Sequence, residues 1–180
     1  MSEKKGSGMA SLVIVLAIIC LVVAALLGVV NSVTAAPIAA NNEKTVQESL
    51  LVVLPADEYT PVEYTGDNAA VVAVYQAGDA GYVVEVMSPN GFSGGIDMMT
   101  GIDPDGAVTG IAVISHAETS GLGSKAQTDK DWQAQFVGLN DTAAVTKDGG
   151  TINAITGSTI TSRAICDGVN IAREVVEALG

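Results

Sequence analysis

Two short stretches concentrate the residue types that could hold a ligand or carry chemistry. Near the C-terminus, ITGSTITSRAICDG (155–168) crowds Thr156, Ser158, Thr159, Thr161 and Ser162 around Gly157, just ahead of an amphipathic run. Hydroxyls gather at helix starts because they cap free backbone N–H groups, and one or two suffice for that. A phosphate on the Thr159 hydroxyl would face unpaired N–H groups and the positive end of the following helix dipole, so capping and anion binding both stand as uses of the cluster. The other stretch is HAETSGLGSK (116–125), in which Glu118 and Thr119 precede Gly121, Leu122 and Gly123. Glycines there let backbone amides come close to a ligand, and equally they punctuate an ordinary turn. His116 is the single histidine, with no Ser or Cys beside it in a nucleophile motif. It fits a site-shaping polar residue better than a general base, and one histidine with scattered acids has no metal-ligand spacing.

The elements that must position these residues follow from periodicity. From Ala69 to Ala117, the runs AVVAVYQ, GYVVEVM, GGIDMMTGI and AVTGIAVISH are rich in β-branched residues and separated by AGDA, SPNG and DPDG, which predicts an antiparallel meander. Its imperfect alternation implies one packed face and one partly covered face. Upstream, EKTVQESLLVVLP sets Val46, Leu50, Val53 and Leu54 at helical spacing and stops at Pro55. Downstream, the later half of GLGSKAQTDKDWQAQFVGL predicts a helix with Trp132 and Phe136 as packing anchors. A strand around Ala143 to Thr146, a KDGG turn and a strand TINAI come next. Ile165, Val169, Ala172, Val175 and Val176 then mark a final amphipathic helix from Ser162 to Leu179, capped by Ser162 or Thr161. The fold class is α+β, an antiparallel sheet with packed helices.

Met9 to Val30 carries no charge over 22 residues. At ~1.5 Å per helical residue it can cross a ~30 Å hydrocarbon core, and it is longer than the ~7 to 15 residues of a signal-peptide apolar region. Bulky Ile19 before Cys20 argues against lipoprotein processing. Lys4 and Lys5 precede the span, and NSVTAAPIAANN after it has no basic residue, so the N-terminus is expected in the cytoplasm and the rest outside. Past the span, Lys44, Lys125, Lys130, Lys147, Arg163 and Arg173 face 19 of the chain's 20 acidic residues, and the whole chain has a formal net charge of −12. Nucleic acid is excluded as a partner on that balance. Cys20 in the span and Cys166 in a helix are not placed to pair.

TGST followed by ITS resembles the [ST]GAT-type flavinylation motif of the FMN-binding domain found in the G subunit of the Rnf electron-transport complex and in the C subunit of the sodium-pumping NADH:quinone reductase. HAETSGLG resembles the family's H-x-E-T-P-G-L-G loop, and NGFSGGIDMMTGIDPDG its upstream strand and turn. Ser158 stands for the usual alanine, Asn153 for the aspartate that opens the motif, and Ser120 for the proline of the loop. Compact length favours the Rnf branch over the quinone reductase branch. The resemblance implies FMN attached covalently by a phosphoester to Thr159. It implies that Thr156, Gly157, Ser158 and Thr161 surround the phosphate, Thr161 as a donor, and that Glu118, Thr119, Gly121, Leu122 and Gly123 border the ring or phosphate. It also implies an electron-relay role, non-catalytic alone, with other membrane subunits and a flavin transferase as partners in a complex passing electrons from ferredoxin to NAD⁺ with Na⁺ or H⁺ transport. The corresponding organisation is a cytoplasmic N-terminus (1–8), a transmembrane helix (9–30), a linker (31–42) and an extracytoplasmic FMN-binding domain (43–180). A membrane-anchored module that binds a ligand noncovalently or acts as a scaffold is the alternative from another class.

Overall fold

The computed structural model describes residues 5–179, without the side chains of residues 5–8, 39 and 40. Contacts divide the chain between Lys44 and Thr45. Helix α1 (Lys5–Val53) holds a stretch long and apolar enough to cross a membrane. Residues 31–42, expected as a linker, are helical: Ala35 and Ala36 favour the helix, and Pro37 is accommodated at the loss of one backbone bond. The Ser32 hydroxyl donates to the Val29 carbonyl and that of Thr34 to the Val30 carbonyl, keeping both polar groups within the helix.

The unit from Thr45 onward is built on a five-stranded antiparallel sheet in sequential order: β1 (Thr60–Val62), β2 (Val71–Gln76), β3 (Tyr82–Ser88), β4 (Ile96–Ile102) and β5 (Val108–His116). The meander lies where alternation predicted it, with β1 as an additional edge strand too short to show a period. Both faces of the centre are covered. On one face Val84, Val86, Met98, Ile111 and Val113 pack toward α4 (Thr159–Leu179), which contributes Ile165, Val169, Ala172 and Val175. On the other, Val83, Met99 and Ala112 cluster with Leu50, Val53 and Leu54 at the end of α1. Burial on two faces explains why the hydrophobic alternation of β3 is weak.

The end of α1 fits the sheet because Gly101 and Gly110 are cross-strand partners, and a Cβ on Gly110 would sit 3.2 Å from the Val53 backbone. Thr109 Oγ1 donates to the Val53 carbonyl (2.5 Å), and Tyr59 Oη donates to that of Leu54 (2.6 Å). These hydroxyls satisfy carbonyls that the helix end leaves without partners.

After β5 the chain forms two single turns, α2 (Lys125–Thr128) and α3 (Lys130–Gln133), then a 3₁₀ turn Ala134–Phe136, where one longer helix was expected. Asp129 divides them: its backbone is extended, and its carboxylate accepts from Trp132 N. Trp132 and Phe136 are buried with ring centroids 5.3 Å apart, edge to face. The two strands expected around 143–155 reduce to one parallel bridge, Val145 to Ile152, around a 3₁₀ turn Thr146–Asp148. Gly149 with φ 88° ends that turn and leaves too little extended chain for a ladder.

Candidate functional site

Helix α4 starts at Thr159, three residues before the expected Ser162. The Ile155 carbonyl accepts from Ser158 N (2.9 Å), closing a tight turn whose Gly157 has φ 79°. Only glycine enters that region without strain. Ser158 then supplies the carbonyl for Ser162 N (3.0 Å). Ser162 is fully buried inside the first turn, where its hydroxyl donates to the Ser158 carbonyl and accepts from Ile155 N. It therefore braces the turn, and the helix has already begun. Among the described residues, no hydrogen bond is made by the backbone N–H groups of Thr159, Ile160 and Thr161. They form an uncapped, electropositive helix end beside the Thr159 hydroxyl.

The glycine loop is drawn to this end by contacts between side chains distant in sequence. Glu118, 8% exposed, accepts from Thr161 Oγ1 at its Oε2 (2.5 Å) and from Ser93 N at its Oε1 (2.9 Å). Its own N–H donates to His116 Nδ1 (3.1 Å), so the histidine shapes the loop. A Cβ on Gly123 would lie 2.5 Å from Glu118 Oε2 and 2.8 Å from Thr161 Oγ1, and one on Gly157 3.3 Å from Leu122 Cδ2. The two motifs interlock through these glycines. Thr161, expected as a donor toward a phosphate, donates its hydroxyl hydrogen bond to Glu118.

Between the motifs lies an open cavity of about 410 Å³, within the ~300 to 1,000 Å³ usual for ligand sites. Its walls include Glu118, Thr119, Leu122, Gly123, Gly157, Ser158, Thr159 and Thr161 from the expected set. Thr156 lines a smaller neighbouring cavity of about 280 Å³ with Gly157 and Thr159, whereas Gly121 lines neither. Gly121 has φ 76° and donates its N–H to Ser124 Oγ, a turn geometry. Three further walls of the larger cavity, Phe92, Lys147 and Ile160, were not singled out from sequence. Phe92 is 67% exposed at the cavity, and its position between the glycines of NGFSGG was the available signal.

Asn153 occupies the smaller cavity's wall. Its backbone N–H and its Nδ2 both donate to Gln135 Oε1 (2.8 and 3.0 Å), and its carbonyl accepts from Trp132 Nε1 (2.7 Å). Nearby, Arg163 clamps Asp148 with two parallel bonds of 2.6 and 2.7 Å. The Arg163 hydrogen bond, opposed by desolvation and then aided by the charges of Arg163 and Lys147, holds the Asp148 carboxyl below its ordinary value. Cys166 lies buried on α4, its thiol pushed up to about 12 by burial and then by Asp167 and Asp148.

Uncapped amides, an acceptor-ready hydroxyl, apolar walls and one lysine suit a ligand with an anionic end and a flat apolar body. The fold is that of an FMN-binding domain: the family model of that description matches residues 91–174. A second model, the RnfG N-terminal region, matches residues 1–53. A Methanosarcina acetivorans protein, described as the G subunit of an ion-translocating oxidoreductase complex, is 35% identical over 178 residues, covering 92% of this chain and 93% of the relative. The corresponding protein of Salmonella typhimurium is 33% identical over 176 residues, 86% of this chain and 84% of the relative. The G subunit of a Na(+)-translocating ferredoxin:NAD(+) oxidoreductase complex from Acetobacterium woodii is 42% identical over 106 residues, 55% of this chain; there the match spans only 50% of the relative. The chain belongs to the family of G subunits of ion-translocating oxidoreductase complexes.

Proposed function

We propose that this chain is the electron-relay subunit of an Rnf-type complex, with FMN joined to Thr159 by a phosphoester. The observation that carries the reading is Thr159, which lines the cavity at a helix end whose first three N–H groups have no partner among the described residues. A neutral cap would satisfy one of those groups; a phosphate on Thr159 offers oxygens to several and favours the positive dipole end.

In maturation Thr159 is the nucleophile toward FAD, with a flavin transferase as the second partner. Its oxygen bonds the phosphorus on the flavin side of the diphosphate, the bridging P–O bond breaks, AMP leaves with the bridging oxygen, and the hydroxyl proton passes to a base on the transferase. Afterwards Thr159 is only the tether. Bound FMN supplies one- and two-electron redox chemistry. The chain supplies position: Leu122, Ile160 and Phe92 offer apolar surface to the ring, and the α4 N–H groups hold the phosphate. Thr161, engaged with Glu118, holds the glycine loop in place.

The complex would carry electrons from reduced ferredoxin to NAD⁺ with Na⁺ or H⁺ translocation, this chain relaying between cofactors of neighbouring membrane subunits. Helix α1 would anchor it with the N-terminus cytoplasmic and the FMN-binding domain outside. The relatives' names support the assignment to the complex, and the absence of lysine or arginine between residues 9 and 43 supports the orientation.

Co-expression with the flavin transferase, followed by a denaturing gel, tests the attachment. The wild-type band should fluoresce, and Thr159→Val, which removes the hydroxyl and keeps the shape, should abolish the signal. A dark wild-type band overturns covalent attachment; a fluorescent Thr159→Val band overturns the residue.

A further inference from the structure

Lys147 lines both cavities that meet at Thr159, the larger one below the glycine loop and the smaller one along Asn153 to Gly157. Among the described residues it is the only lysine or arginine in the walls of either, in a domain where acids far outnumber bases. The neighbouring Asp148 feels the Lys147 charge, but both of its carboxylate oxygens are hydrogen-bonded by Arg163, whose charge offsets it. Arg163 sits in the second turn of α4, so the same clamp fastens the 3₁₀ turn Thr146–Asp148 to the helix that begins at Thr159. The bridge from Val145 to Ile152 and the bond from Gly150 N to the Val145 carbonyl (3.1 Å) fix the turn from its other side. Glu118 also lines the larger cavity, its two oxygens accepting from Ser93 and Thr161. An anion attached at Thr159 is attracted to the Lys147 charge that lines both cavities with it.

We propose that Lys147 is a positioning residue for the flavin phosphate: its ammonium group balances the phosphate charge at Thr159, both while the ester forms and in the finished flavoprotein. The role rests on covalent attachment at Thr159 as proposed above. During attachment negative charge builds on the phosphate oxygens, and a cation beside them lowers the barrier. In the finished protein the same cation favours added electron density on the flavin, which raises its reduction potential. Lysine suits the position because it acts as a compact point charge whose flexible stem can bring the ammonium to the phosphate.

The test uses the full-length chain co-expressed with limiting flavin transferase. Lys147→Gln should slow the gain of gel-stable flavin fluorescence about three- to tenfold, the size expected from about 1 kcal/mol of charge stabilisation. Lys147→Arg, which keeps the charge, should restore most of the rate. Purified Lys147→Gln flavoprotein should have a reduction potential below wild type, with the gap shrinking as salt is added. Wild-type rate and potential in Lys147→Gln overturn the inference while leaving attachment at Thr159 intact. Equal slowing in Lys147→Gln and Lys147→Arg also overturns it, since shape and not charge would then matter. A wild-type chain that gains no fluorescence overturns the attachment reading, and this role falls with it.

Discussion

Glu118 holds three segments at once: its own loop, the Phe92 loop through Ser93 N, and the first turn of α4 through Thr161. The arrangement is possible only because Gly123 has no side chain, since a Cβ there would meet both Glu118 Oε2 and Thr161 Oγ1. Gly123→Ala should therefore force these groups apart, destabilise the chain by about 1 to 3 kcal/mol as overpacking does, and lower flavin loading even with Thr159 intact. Thermal unfolding with and without transferase co-expression measures both effects; unchanged loading would show that the Glu118 contacts do not shape the site. At this scale the hydroxyl cluster and the glycines were legible, because residue type alone announces an attachable hydroxyl or a close approach. The division of labour among them was not. Ser162 braces a turn instead of starting the helix, and Thr161 serves Glu118, because each hydroxyl chooses among partners that only folding brings near. Asn153 illustrates the same point. Its Nδ2 donates to Gln135 Oε1, so an amide partner 18 residues away provides for an asparagine where the family motif has aspartate.

At the scale of elements, the sheet face toward the end of α1 carries an unusual pair. Glu85 on β3 is buried, its carboxyl pushed up to about 7 by that burial and then by the charge of Asp97 on β4. Burial likewise raises Asp97, whose Oδ1 has no hydrogen-bond partner among the described residues, and Tyr75 on β2 is raised by burial and by Glu85. Relative to the ordinary 4.5, Glu85 keeps a proton in the folded chain that the unfolded chain has already released. Stability should fall as pH rises from about 4.5 to about 7 and stay reduced above that window. Glu85→Gln should raise Tm at pH 8, by about 2 to 4 °C for each kcal/mol relieved, and change it little at pH 4. Thermal scans of the detergent-solubilised chain at both pH values check this; an equal shift at both would assign the effect to packing. The strands themselves were legible from β-branched runs and turn residues. The helix expected over the Trp132 region was not, because Asp129 interrupts it with a local side-chain bond that competes with helix continuation.

For the molecule as a whole, orientation is the open consequence of the apolar helix and its lysine flank. Asp79→Cys, in the exposed β2–β3 turn, should react with a membrane-impermeant maleimide in right-side-out vesicles. Labelling only after the vesicles are opened would reverse the proposed topology. Cys166 adds little background, since its thiol is buried and pushed up to about 12, far from thiolate at neutral pH. The sequence by itself determined the apolar span, the meander, the final amphipathic helix and the two motifs, all of them patterns carried by residues adjacent in the chain. Only the tertiary structure decided that 31–42 is helical, that α4 begins at Thr159 with its first three N–H groups unpartnered among the described residues, and that Phe92 and Lys147 join the cavity. The physical reason is distance along the chain. Glu118 and Thr161 are 43 residues apart, and a pocket made by such contacts leaves no period or spacing for a linear reading to find.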